Sequence, residues 1–168
     1  RWIMYERRYN TILASAAPVS WRCTGMPEHI PCARRAIDLR ASGRSVVAWL
    51  EDDFHHFGIE MSHDGEKVVA VAGQAARFPR DTCPGAVGIL QEVVGMPLDQ
   101  RSTALGQYTN MRWHCTHLYD LLGLAIAHAA CGREHRRYEA MVPDREPLDS
   151  ANANSRIGGR TAPKLYRD

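Results

Sequence analysis

The periodicity of apolar residues changes once along this chain of 168 residues, and that change limits what it can fold into. Between residues 34 and 78, apolar and polar residues alternate with a period of two, as in strands that bury one face. After Pro79 the apolar residues recur at helical spacing. Strands followed by helices predict an α+β fold, with C-terminal helices packed on one face of an antiparallel sheet.

Four apolar runs in the first region are predicted to be strands, and turn residues separate them: 36–39, 45–50, 57–61 and 67–71. The Asp64-Gly65 pair between the last two runs is the strongest hairpin signal in the chain. The sequence therefore predicts an antiparallel meander of three to four strands.

Three helices are predicted after the meander. The first begins around Cys83 and ends at Gly95, and a short second helix is expected over residues 98–106. The third begins near Thr116, carries a regular apolar stripe and closes at Gly132.

Length and composition predict a single domain over residues 1–168. Its parts are expected to be an irregular N-terminal segment, the meander, the helices and a loop-rich tail, over residues 1–33, 34–78, 82–132 and 133–168. The tail is charged at first and then rich in Asn, Ser and Gly. The chain does not begin with Met and ends on Arg167-Asp168, which is compatible with a fragment of a longer protein.

Composition and charge exclude several classes of protein. Hydrophobic residues are 45% and charged residues 24%, which is normal for a globular domain. A net charge of +2 with scattered arginines argues against a nucleic-acid partner. No apolar run approaches the roughly 20 residues of a membrane span, which argues against a membrane partner.

Cysteine usage and the first residues predict a cytoplasmic location. Five cysteines at irregular spacing do not form a secreted disulfide framework, so reduced thiols are expected. Arg1-Trp2-Ile3-Met4 is not followed by the apolar core of a signal peptide. The expected partners are a small-molecule ligand or a metal ion, and a homo-oligomer is left open.

Two cysteines, Cys83 and Cys115, stand at predicted helix starts, where free backbone amides and the helix dipole favour the thiolate. His114 and His117 flank Cys115 closely enough to converge with it on one small volume, as a metal or acid–base site requires. Buried cysteine is also a common small apolar residue. The pattern leaves both interpretations open.

The stretch 51–56 adds three acids and two histidines at the turn into the third strand. Because side chains alternate along a strand, His55 and His56 are predicted to point to opposite faces, so that at most one joins a shared site. Asp53 or Glu51 is predicted to supply an oxygen ligand or to orient a histidine. A solvated acidic turn is the alternative interpretation.

Three motifs carry a resemblance to a known family: Leu50-Glu51-Asp52-Asp53-Phe54-His55, Cys83-Pro84-Gly85-Ala86 and His114-Cys115-Thr116-His117-Leu118. Further likeness lies at Tyr138 and at Val142-Pro143-Asp144-Arg145. From about residue 34 the chain resembles the bacterial domain of unknown function 2889. That resemblance implies little about activity, and it implies a chain that continues past residue 168.

A second resemblance lies in the order of elements: strand, Asp64-Gly65 turn, strand, Cys83 at a helix start, and His114-Cys115 opening a last amphipathic helix. This order is similar to iron–sulfur scaffold proteins of the IscU/NifU type. The resemblance implies an IscU-like fold in which these cysteines, the histidine and Asp53 occupy the scaffold's ligand positions.

The scaffold's remaining cysteine would fall near Glu51, and this chain has no cysteine there. The departure argues against a three-thiolate cluster. It leaves a mixed site of sulfur, nitrogen and oxygen donors, which suits zinc or iron.

The leading hypothesis is a metal site for zinc or iron, with the ligands Cys83, Cys115, His114 and Asp53. The alternative is a small-molecule enzyme, a lyase, isomerase or hydrolase of aromatic or acyl-group catabolism, with the catalytic residues Cys83, Cys115, His117 and His55. A second alternative is a non-catalytic ligand-binding or interaction module whose thiols are merely buried.

Overall fold

The computed structural model of the protein describes residues 32–143, in which five strands form one antiparallel sheet. The strands are β1 (Cys32–Ser42), β2 (Ser45–Asp52), β3 (His56–His63), β4 (Val68–Arg77) and β5 (His135–Pro143). Their order across the sheet is β4-β3-β2-β1-β5. The α+β class and the antiparallel meander predicted from the sequence are confirmed. The predicted irregular segment lies almost wholly outside the described residues.

The sheet has five strands and not the predicted three to four, because β5 forms in the region that was predicted to be a loop-rich tail. It runs antiparallel to β1, with Tyr138 opposite Ile37. Tyr138 lies between two of the charged residues that suggested a loop, Arg137 and Glu139. These two side chains pair with each other at the exposed surface. Charged side chains are a common feature of edge strands. The tail beyond residue 143 lies outside the described part of the chain.

The predicted hairpin at Asp64-Gly65 joins β3 to β4. Gly65 has a φ of 109°, which an L side chain would strain. The Asp64 carboxylate accepts hydrogen bonds from the backbone N–H groups of Glu66 and Lys67 at 2.8 and 2.7 Å. Both residue types therefore have a physical role in the turn.

The helical part contains two α-helices, α1 (Ala86–Ile89) and α2 (Thr116–Ala130). Short 3₁₀ helices accompany them at Cys83–Gly85, Leu90–Val93, Ser102–Gln107 and Met111–Trp113. The predicted third helix corresponds to α2, which begins at Thr116 and is followed by Gly132 with a φ of 62°. Within residues 32–143, no helix is long and apolar enough to cross a lipid bilayer.

The predicted first helix is broken into short pieces between Cys83 and Val93. Pro84, Gly85 and Gly88 are poor helix formers in this stretch, which explains why it does not form one long helix. Cys83 consequently begins a single 3₁₀ turn. The helix dipole at Cys83 is therefore weaker than that of the longer helix predicted from the sequence.

The core lies between one face of the sheet and α2, which contacts β1, β2 and β3. Alternate residues of β2 and β3 and the apolar stripe of α2 are fully buried: Val46, Ala48, Leu50, Phe57, Ile59, Met61, Leu118, Leu121, Leu122, Ala125 and Ile126. This packing brings the first turn of α2 over the β2–β3 turn.

Candidate metal centre

Asp52, at the end of β2, organises the β2–β3 turn. Its Oδ1 accepts hydrogen bonds from the backbone N–H of Phe54 at 3.0 Å and of His55 at 2.8 Å. The same oxygen lies 2.9 Å from Nδ1 of His55. The turn thus fixes the histidine ring against the carboxylate.

The second oxygen of Asp52 faces Arg35, the residue opposite it on β1. Oδ2 accepts from Nη2 and Nε of Arg35 at 2.8 and 3.2 Å. Burial by itself would raise the pKa of Asp52, but the hydrogen bonds from His55, the Phe54 N–H and Arg35 outweigh it and lower the pKa to about 2. The carboxylate is therefore ionised at neutral pH.

His117 reaches the same carboxylate from the first turn of α2. Its Nε2 lies 3.8 Å from Oδ2 of Asp52, and its ring stacks on that of His55 with the centroids 3.9 Å apart. Burial, and then the electrostatic interactions with His55 and Arg35, lower the pKa of His117, although Asp52 and Asp120 partly offset this. A lowered pKa keeps the imidazole neutral, which is the form that binds metals.

Asp52, His55 and His117 form a group in which one ligand atom from each residue lies within 4.8 Å of the others. Comparison of the chain with protein-family models, with curated proteins and with solved structures finds no match. The chemistry of the site is therefore inferred from its geometry. Two imidazoles and a carboxylate are donors that suit zinc and iron.

Cys115 lies beside this group without being part of it. It is the N-cap residue of α2, is partly buried against the core, and places its Sγ 3.9 Å from Nδ1 of His117. The thiol therefore contacts the ring nitrogen that is not turned toward Asp52.

Of the predicted residues, the structure brings together His55, His117 and Cys115. His56 points to the opposite face of the sheet, as alternation predicts, and its ring packs on Trp49 with centroids 4.8 Å apart. Asp53 is exposed in the turn. It lies outside the group of possible ligands.

Cys83 and His114 also lie outside the group. Cys83 is partly buried against the core. The His114 side chain is fully buried, and its Nε2 lies 3.3 Å from Oε2 of Glu92 without the alignment of a hydrogen bond. His114 packs against Tyr119, with ring centroids 5.1 Å apart. The predicted ligands Cys83, His114 and Asp53 are thus not gathered with Cys115 into a single group of donors.

Two residues of the site, Asp52 and Arg35, were missing from the sequence-based prediction. A signal for Asp52 existed, because alternation along β2 puts its side chain on the same face as the buried Leu50. Asp53 comes after the last residue of the strand. Arg35 had no local signal, since its position depends on the register between β1 and β2.

Proposed function

We propose that the protein binds a divalent metal ion, zinc or iron, through His55, His117 and Asp52. The observation that carries this proposal is that one ligand atom from each of these residues lies within 4.8 Å of the other two. Metal–ligand bonds of about 2.0–2.2 Å place neighbouring donors roughly 3–3.5 Å apart. Small side-chain movements suffice to reach those distances.

The hydrogen bonds indicate which atoms bind. Nδ1 of His55 is the ring nitrogen turned toward Asp52, so a metal ion shared with the carboxylate binds Nδ1 in place of this hydrogen bond. Oδ2 of Asp52 is the oxygen turned toward Nε2 of His117, and a metal ion there competes with the two hydrogen bonds that Arg35 donates to it. Three protein donors leave coordination positions for water or a substrate, as in catalytic rather than structural sites.

The direct test is metal analysis of protein purified without oxygen. We expect stoichiometric zinc or iron in the wild type and in His56→Ala, whose ring faces the other side of the sheet. His117→Ala should lose the metal. A wild type without stoichiometric metal, or a fully loaded His117→Ala, would overturn the proposal.

The IscU-like arrangement makes a different prediction for Cys83. A scaffold-type site would use this thiolate as a ligand, whereas the three-residue site does not. We expect Cys83→Ser to keep its metal, with Cys131→Ser as the thiol control. Loss of metal from Cys83→Ser alone would favour the scaffold-like site.

The likeness to the domain of unknown function 2889 and the cytoplasmic location stay predictions. All four cysteines in the described part of the chain, Cys32, Cys83, Cys115 and Cys131, are free thiols, which supports a reducing compartment.

The 3.9 Å contact between Cys115 and His117 supports a second candidate function, an enzyme with a cysteine nucleophile and a histidine base. Such an enzyme, a lyase, isomerase or hydrolase, would act without bound metal. It predicts rapid alkylation of Cys115 by iodoacetamide near neutral pH. Uniformly slow labelling of Cys115 and Cys83 would count against it and leave the metal site in place.

A further inference from the structure

We infer that Cys115 is a positioning residue that orients His117 for the metal, and not a metal ligand; the inference rests on the proposed metal site. An imidazole has two nitrogens, and in His117 they face different partners. Nδ1 lies 3.9 Å from Sγ of Cys115, whereas Nε2 lies 3.8 Å from Oδ2 of Asp52. A metal shared with Asp52 therefore binds Nε2.

The backbone holds the thiol in this place. Cys115 is the extended N-cap residue of α2, and its carbonyl accepts the backbone N–H of Tyr119 at 2.9 Å. His117 follows two residues later in the first helical turn. Both side chains are thus carried by one rigid element, which limits how far Sγ can move around the ring.

A sulfur acceptor at Nδ1 selects the tautomer of His117 that carries its proton there. The lone pair of Nε2 is then free for the metal, because the group that contacts the second nitrogen of a histidine sets which nitrogen coordinates. Nδ1 of His55, in contrast, faces Oδ1 of Asp52 at 2.9 Å, so an ion shared with Asp52 binds that ring through Nδ1.

The consequence is a site with nitrogen and oxygen donors alone. A thiolate ligand would take one coordination position and reduce the effective charge of the ion, whereas two imidazoles and one carboxylate leave an open ion with Lewis-acid character. Cys115 then sets the orientation and the tautomer of His117 without taking a coordination position.

The first experiment is nitrogen-15 NMR of zinc-loaded protein with labelled histidine. We expect the His117 ring to carry its proton on Nδ1 and to coordinate through Nε2. Coordination through Nδ1 would overturn the inference while leaving the metal site intact. Failure to bind either zinc or iron(II) would overturn the metal site itself, and the inference with it.

The second experiment uses cobalt(II) in place of the native ion. We expect no near-ultraviolet thiolate-to-cobalt band in the wild type. Cys115→Ala should bind cobalt about 10–100-fold more weakly, the usual cost of removing a group that orients a ligand. Cys131→Ala, at the other end of α2, is the control and should bind like the wild type.

Two results would overturn the positioning role of Cys115. One is a thiolate-to-cobalt band that disappears in Cys115→Ser, since it would make the residue a ligand. The other is unchanged cobalt affinity in a folded Cys115→Ala. The wild-type spectrum decides between ligand and positioning residue even if the alanine variant does not fold.

Discussion

Asp52 and His55 hold each other in place through one carboxylate oxygen. Oδ1 of Asp52 accepts the backbone N–H of His55 at 2.8 Å and lies 2.9 Å from Nδ1 of the same residue. The hydrogen bond that closes the β2–β3 turn and the one that orients a proposed metal ligand therefore share an acceptor. The same residue serves the fold and the site.

This arrangement predicts that Asp52 stabilises the metal-free protein above acidic pH. Its pKa is lowered from 3.8 to about 2 in the folded chain, so the folded state favours the ionised form. The contribution is present above pH 3.8 and is lost as the pH falls toward 2. We expect it to be about 1–2 kcal/mol of unfolding free energy. Asp52→Asn should lack this part of the acid dependence.

Urea unfolding of metal-free protein at several pH values measures this effect. Asp81→Asn is the matched control, because the Asp81 carboxylate is exposed to solvent. Solvent-exposed charges contribute little to stability. The same acid slope in Asp52→Asn as in the wild type would show that the carboxylate does not stabilise the fold.

His117 is predicted to lower the stability on acidification too, but in a higher pH range than Asp52. Its pKa is lowered below 6.5 in the folded protein, chiefly by burial and then by His55 and Arg35. As the pH falls below 6.5, the unfolded chain takes up a proton that the folded chain does not. The unfolding free energy therefore falls over the window between 6.5 and the lowered pKa.

An NMR titration of metal-free protein should give a midpoint below 6.5 for His117. His117→Gln should weaken the loss of stability between pH 7 and pH 5. His63→Gln is the control, because His63 lies at the end of β3 that is distant from the β2–β3 turn. A midpoint at or above 6.5 for His117 would contradict the prediction.

Local sequence patterns were sufficient to predict the first four strands, the Asp64-Gly65 turn, the start of α2 and the opposite directions of His55 and His56. These features depend on neighbouring residues. The position of His117 over Asp52 depends instead on how α2 packs on β2 and β3. Strand β5 likewise depends on a partner far along the chain, as the contact between His135 and Asp38 at 3.0 Å illustrates.

The packing of α2 against the 3₁₀ helix Ser102–Gln107 can be tested at Gly123. A Cβ at this position would lie 2.4 Å from the backbone carbonyl oxygen of Ser102, so Gly123→Ala must push α2 away from the 3₁₀ helix Ser102–Gln107. Such overpacking costs about 1–3 kcal/mol of unfolding free energy. Because His117 lies in the first turn of the same helix, the shift should also weaken metal binding.

Gly88→Ala in α1 is the matched control, since a Cβ there would meet no atom within 4 Å. Alanine is a better helix former than glycine by up to about 1 kcal/mol, so this variant should be as stable as the wild type or more so. Urea unfolding and zinc titration of the two variants measure both effects. If Gly123→Ala matched Gly88→Ala in stability, α2 would not pack closely against the backbone of Ser102. If Gly123→Ala lost stability but kept its zinc affinity, the position of His117 would be set by the β2–β3 turn and not by the helix.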